Sequence, residues 1–336
     1  MARTVQTSND DSASRTPRVP VKSSALHYFL QRIENDITNF RDIVARVGEI
    51  VAFSELRKLV AAVSAECRDS KENMLAVHHW FDERLNPILH ESELCKYCYD
   101  KPRGYSGDFG AIELIWKGHT APYAKRYVGT TIRGQLINAY SLGTENCRAN
   151  IDRIIRFRKI LCGFSGQSIA SIGCGSAIEL CEAYRVGGKP GVDVHLFDQD
   201  ESALDAAQSQ LVFFPLHVHC YGGNVIRNLI SRKQQRFDLI YSSGVFNYLE
   251  LASARKIAEV LWNQLNAGGS LIICNAHPDN PTRVWMECVS HWYLIYKTED
   301  QMSSLARGLV DSEYVKLEKD AYGVYQYLVI RKQKEN

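Results

Sequence analysis

Apolar residues recur at three- and four-residue intervals along the first half of the chain, then in short continuous or alternating runs along the second. Leu26, Phe29, Leu30, Ile33, Ile37, Phe40, Ile43, Val44 and Val47 mark one face of a long amphipathic helix, with Gly48 as its stop or kink. A second helix is predicted around residues 54–67, with Leu56, Leu59, Val60 and Val63 inward. A third covers residues 71–85 and ends before Pro87, because the residue ahead of a proline avoids the helical region. Residues 120–162 carry two or three more, the last over 145–161 with Ile151, Ile154, Ile155 and Ile160 inward. Residues 1–22 hold Ser, Thr, Asp, Arg and two prolines without apolar periodicity and read as a disordered tail.

From residue 168 the period changes. Residues 168–172 form a buried strand, and Gly173-Cys174-Gly175-Ser176-Ala177 a turn that brings backbone close to a ligand. The helix opening at Ile178 presents free N–H groups to an anion. A second strand over 192–197 ends in Asp198, 23 residues past Gly175, close to the spacing at which a strand-end acid holds a ribose. Further strands are expected at 217–220, 237–242 and 270–275. An amphipathic helix through Ala254, Ile257, Val260, Leu261 and Leu265 is expected to end at Gly268-Gly269. The last segments, 314–318 and 323–331, alternate as an antiparallel hairpin. The chain thus divides into the tail (1–22), a helical domain (23–162) and an α/β domain (163–336).

The motif Ile172-Gly173-Cys174-Gly175 with Ala177 and Asp198 resembles the first two motifs of class I S-adenosylmethionine (SAM)-dependent methyltransferases. The resemblance implies a Rossmann-like seven-stranded sheet closing on a β-hairpin, with SAM as cofactor. Gly173 and Gly175 then approach the cofactor, Asp198 holds its ribose, Asn224 faces the adenine edge, and Phe246 stands where the fourth strand reaches the methyl donor. A guanidinium from the helix over 145–161 meets the carboxylate of SAM, and Arg158 is the choice made among its arginines.

A second stretch is more distinctive. Lys101-Pro102-Arg103-Gly104-Tyr105-Ser106-Gly107-Asp108 resembles the K-P-R-G-Y-x-G-D signature of a bacterial methyltransferase subgroup named for making a hydroxy-fatty-acid methyl ester, an extracellular signal. In that subgroup the helical region covers the active site as a lid. The segment 280–296 after the fifth strand is similar as well, and Glu287, His291 and Ile295 stand four apart as on one helix face. The expected pocket therefore sets Tyr105 and Asp108 against His277 and Glu287 as catalytic groups. Glu113, Arg283, Trp292 and Tyr296 line the substrate side. The alternative is structural: Asp108 caps the next helix and Glu287 balances Arg283.

Composition narrows the rest. The 336 residues are 45% hydrophobic and 23% charged with a net charge of +2, an ordinary globular balance without a nucleic-acid-binding stripe or a polybasic membrane patch. No apolar run reaches membrane-spanning length and no signal-peptide layout opens the chain, so a cytoplasmic location is expected. The ten cysteines suit reduced thiols. Cys95-Lys96-Tyr97-Cys98 lacks a second pair, so no metal is expected. The expected partner is a small-molecule substrate, with a homodimer left open. The methyl acceptor divides the reading: resemblance favours a hydroxy fatty acid or similar carboxylate, whereas the acids near the pocket favour a cationic amine or guanidine. A SAM-binding regulator without chemistry is the alternative from another class.

Overall fold

The computed structural model describes residues 21 and 23–334; the tail expected over 1–22 lies, Val21 apart, outside the described residues. Seven strands form one sheet: Ser168–Ile172 (β1), Val192–Asp198 (β2), Leu216–Gly222 (β3), Phe237–Ser242 (β4), Leu265–Ala276 (β5), Val315–Lys319 (β6) and Tyr325–Arg331 (β7). Their order is β3-β2-β1-β4-β5-β7-β6. β1 to β5 run parallel, and β7 is antiparallel to both β5 and β6. This is the expected Rossmann-like seven-stranded sheet, with the hairpin at its edge.

Side-chain alternation divides the core between the two faces of the sheet. Ile169 belongs to a cluster with Phe157, Leu161 and Leu180, whereas Ala170 and Ile172 join Ile257, Leu261 and Met302. Strand order reverses at β1, which has β2 on one side and β4 on the other. A crevice opens beyond the carboxyl ends of the strands at such a point, which is where this fold class binds ligands.

The fifth strand corrects the sequence reading. The helix before it is Leu251–Asn263, and β5 already begins at Leu265 rather than after Gly268-Gly269. Phe237 pairs with Leu265 but Leu239 pairs with Ser270, so residues 266–269 bulge out of the ladder and the glycines sit inside the strand.

Ahead of the sheet, the long helix expected up to Val47 is interrupted. Ser24–Thr38 ends where the Asn39 side chain bonds back to the Asn35 carbonyl at 2.9 Å, and Phe40–Val47 restarts. After Gly48, Glu49–Cys67 follows. Pro87 does not end the third helix. Lys71–Trp80 passes through a π-turn, Phe81–Leu85, into Asn86–Leu89, where proline occupies a first-turn position whose N–H needs no partner. These helices bury Leu30, Ile33 and Phe53 together with Tyr140 from the later helix Ile132–Leu142 and with Trp285 and Val289 from beyond β5. The helix Glu145–Cys162 contributes Phe157 and Leu161 to the sheet's own core. Among the described residues no helix is long and apolar enough to cross a membrane.

Candidate active site

A cavity of about 460 Å³ occupies the crevice at the carboxyl ends of β1, β2 and β4. Its floor is the turn after β1. Gly173 lies at φ +69°, and a Cβ there would collide with the Val245 side chain, so the backbone must be bare. The Gly175 N–H donates to Asp198 Oδ2 at 2.8 Å, and the Asp200 N–H donates to Oδ1 at 3.0 Å. Asp198 is thereby fixed at the strand end facing the cavity. Burial pushes its carboxyl above the usual range, while these N–H donors pull it back. Ser176, also in the turn, is buried, and its hydroxyl has no partner among the described residues. A buried hydroxyl of this kind in a cavity wall suits contact with a polar ligand.

The inner end carries one buried cation and one buried acid. Arg153 donates to the Ser243 carbonyl at 2.8 Å and to Asn150 Oδ1 at 2.7 Å. Glu179, in the first turn of Ile178–Arg185, accepts from the Tyr241 hydroxyl at 2.9 Å, and burial raises its pKa. Both line the cavity. Arg158 does not. On Glu145–Cys162 it is five residues from Arg153, about 140° around the helix, and so leaves the cavity-facing stripe. Arg153 falls beside Ile154 and one turn before Phe157, a periodic signal that could have singled it out in the sequence.

The outer wall is the strap over residues 103–107. The Tyr105 hydroxyl donates to Asp200 Oδ2 at 3.0 Å, and burial with this carboxylate holds the phenol's pKa high. The Tyr248 hydroxyl donates to the Ser106 carbonyl at 2.8 Å and accepts from Trp292 Nε1 at 3.0 Å. Gly107 has no Cβ because the Trp292 ring fills that place. Tyr105, Gly107, Phe109 and Tyr248 face the cavity.

Several expected site residues stand elsewhere. Asp108 caps Phe109–Thr120, accepting from the Ala111 N–H at 2.8 Å, with Tyr97 at 3.3 Å and Arg103 at 3.7 Å on its other oxygen. Glu113 pairs with Lys117 at 2.8 Å on the helix surface. Glu287 accepts from Arg283 Nε at 2.9 Å and from the Tyr296 hydroxyl at 2.8 Å, with Arg283 also over the Tyr296 ring. These three form a closed unit of their own. His277 is buried, its Nδ1 accepts from the Asp279 N–H at 3.2 Å, and burial lowers its pKa. None of these side chains lines the cavity. Trp292 lies behind Gly107 rather than facing the cavity. Phe246 is fully buried in the core beneath β4, leaving Val245 and Tyr248 to line the wall. Asn224 reaches the rim, but its oxygen caps Val225–Ser231 by accepting from the Arg227 N–H at 2.9 Å. The expected helix face of Glu287, His291 and Ile295 does not form. The π-turn Trp285–Val289 ends the helix, His291 takes φ +47°, and the Ile295 N–H bonds to the Asn247 carbonyl.

No protein-family model and no curated protein matches the chain. Among solved structures it is similar to a "possible exported protein" from Bordetella parapertussis, with a TM-score of 0.52 and 16% identity over 94% of this chain and 97% of that one. It is also similar to the S-adenosylmethionine-dependent methyltransferase SibL in its apo form, at TM-score 0.46 and 12% identity over 92% of this chain and 97% of that chain. A third is the N-methyltransferase NodS from Bradyrhizobium japonicum with S-adenosyl-L-homocysteine, at TM-score 0.40 and 17% identity over 56% and 88%. At these identities the likeness is one of fold.

Proposed function

We propose that the chain is a SAM-dependent methyltransferase acting on a small molecule. The observation that carries this reading is the distribution of charge in the cavity. A strand-end carboxylate, Asp198, stands beside the glycine turn, and a buried Arg153 and Glu179 stand at the inner end. A ribose diol suits Asp198. An amino-acid zwitterion suits the other pair, its carboxylate toward Arg153 and its ammonium toward Glu179. The unpartnered Ser176 hydroxyl and the bare backbone at Gly173 fit close contact with such a ligand. SAM when bound supplies an electrophilic methyl on a sulfonium, whose transfer leaves a neutral thioether.

The chain's own residues orient the reactants and keep water out, the main demand of an in-line displacement. Tyr105, Phe109, Tyr248 and the backbone of Gly107 make the wall against which an acceptor would lie. Asp108, Glu113, His277 and Glu287, the candidates for removing a proton, are occupied elsewhere. The wall therefore favours an acceptor that is already ionised at neutral pH, a carboxylate, and the resemblance to the hydroxy-fatty-acid ester subgroup points the same way. The case for a cationic amine rested on those same acids and weakens with them. The ten free cysteines suit a cytoplasmic setting.

Titration calorimetry with SAM and S-adenosylhomocysteine tests the cofactor, and absence of heat with both refutes it. Turnover with methyl-labelled SAM, offering 3-hydroxy fatty acids against arginine-like amines, tests the acceptor by product mass. A labelled amine with no labelled ester would reverse the acceptor assignment.

A further inference from the structure

The strap over the cavity and the segment after β5 meet at one strained residue. His291 lies at φ +47°, a left-handed conformation disfavoured for a side chain with a Cβ. Its surroundings hold it there from three directions. The ring nitrogen Nε2 is 3.0 Å from Asp82 Oδ1, and the carbonyl accepts from Ser106 Oγ at 3.0 Å. The next N–H, from Trp292, returns to the Met286 carbonyl at 3.2 Å.

One partner of this contact lies in a π-turn and the other follows one, and such turns occur disproportionately at functional sites. Asp82 belongs to Phe81–Leu85 in the helical region, and Trp285–Val289 closes just before His291. Asn86 ties the two together, its Nδ2 donating to Asp82 Oδ1 at 2.8 Å and to the Cys288 carbonyl at 2.9 Å.

This junction reaches the cavity through the strap. Ser106 stands between Tyr105 and Gly107, both in the cavity wall. Trp292 fills the space beside Gly107 and holds the Tyr248 hydroxyl, which in turn holds the Ser106 carbonyl. One end of the strap is thus fastened to Asp200 beyond β2, through Tyr105. The other is fastened to residues 291–292, whose left-handed turn is itself held by Asp82.

We propose that Asp82 and His291 are a positioning pair that keeps the strap closed over the cavity and so governs release of the cofactor product. The proposal rests on the cofactor reading above. Neither residue lines the cavity, so their effect passes through Ser106, Gly107 and Trp292. Breaking the Asp82 contact leaves the His291 ring only its packing against Tyr99, His78 and Tyr293, lets residue 291 relax from its left-handed turn, and withdraws the carbonyl that Ser106 uses.

Two measurements on the full chain test this, comparing Asp82→Ala and Asp82→Asn with the unaltered protein. In ligand-free protein, Asp82→Ala is expected to speed amide hydrogen exchange across residues 103–109 by about tenfold, the scale of one lost hydrogen bond of this kind. Exchange in Glu49–Cys67 stays unchanged, which separates a local opening from a damaged fold. Asp82→Asn, whose carboxamide retains a bond to the ring nitrogen, stays within about threefold of the unaltered protein. Dissociation of S-adenosylhomocysteine, followed by stopped flow, accelerates in parallel with strap exchange. Strap exchange in Asp82→Ala within about twofold of the unaltered protein overturns the proposal. If that variant unsettles the fold, Ser106→Ala removes only the strap's bond to His291, and the same local acceleration is required of it. Failure of the unaltered protein to bind S-adenosylhomocysteine sinks the cofactor reading; the exchange measurement still judges the pair.

Discussion

Replacing Arg153 separates the arginine the structure places in the cavity from the one the sequence suggested. Arg153 is only 7% exposed and sends two bonds to neutral acceptors, at 2.8 Å to Ser243 and 2.7 Å to Asn150. Its guanidinium also lies 4.9 Å from the centre of the Tyr325 ring. A bond from a charged donor contributes about 1.5–3 kcal/mol, and a buried acceptor left alone costs about 1–3 kcal/mol. With partial relaxation, Arg153→Met should lower stability by about 2–4 kcal/mol. Losing the partner of the ligand carboxylate should weaken S-adenosylhomocysteine by a further 1.5–3 kcal/mol or so, roughly tenfold to a hundredfold in Kd. Arg158→Met, off the cavity stripe, should leave Kd unchanged and stability within about 0.5 kcal/mol. Arg153→Lys keeps the charge but loses the planar fork, so its affinity should fall between the two. Calorimetric titration gives Kd, and denaturant unfolding confirms that each variant is folded under the titration conditions. Unaltered Kd in folded Arg153→Met, or an equal loss in Arg158→Met, would refute the placement of the zwitterion.

Three further outcomes follow from the same geometry. Glu179 has its pKa raised by burial, so the folded state binds its proton more tightly than the unfolded one. Its stabilising contribution is complete below the usual carboxylate pKa and lost as pH rises through the folded value; Glu179→Gln should therefore unfold at higher denaturant than the native sequence at pH 7, with the gap closing toward pH ~4, while S-adenosylhomocysteine binds less tightly. Asp108→Ala should cost about 0.5–2 kcal/mol in melting experiments and leave turnover per folded molecule intact, whereas Asp108→Asn, which still caps, should cost less. Lys297 is buried, donates to the Phe246 and Leu249 carbonyls at 2.9 and 2.8 Å, and has its pKa pushed down by burial to about 8. The unfolded chain then holds this proton more tightly, so stability should rise from pH 8 toward 10.5 relative to Lys297→Met, and parallel pH profiles would exclude this.

The sheet was legible because its strands announce themselves locally. β1, β2 and β4 are short apolar runs bounded by turns, and the hairpin at the edge keeps its alternation. The errors in the fold lie where long-range pairing overrides local signals. Gly268-Gly269 reads as a helix end, yet pairing of Leu265 with Phe237 draws the strand back across the glycines and expels a bulge. Pro87 reads as a helix stop, but the preceding π-turn resets the register so that proline falls in a first turn. Spacing four apart at residues 287, 291 and 295 reads as a helix face. The Ile295 N–H instead bonds to the Asn247 carbonyl, and no helix continues past Ser290.

The site was half legible for a related reason. The glycine turn and Asp198 are defined by backbone geometry, which spacing encodes, and the structure keeps them together at 2.8 Å. Charged side chains in shaped loops carry no such mark, because one carboxylate serves equally to cap a helix, to pair with an arginine or to touch a ligand. Asp108 and Glu287 fulfil the first two roles with every available partner close at hand, which leaves them little to offer a substrate. What distinguishes Arg153 and Glu179 is their place on the buried faces of helices. There a buried charge costs several kcal/mol unless something repays the desolvation. Protein acceptors cover part of that cost for Arg153, and the Tyr241 hydroxyl, a backbone N–H and the nearby Arg153 cover part of it for Glu179. The remaining part is what a zwitterionic ligand would supply. A charge on the buried face of a helix beside a glycine turn is thus a better guide to a ligand than a cluster of charges in a loop.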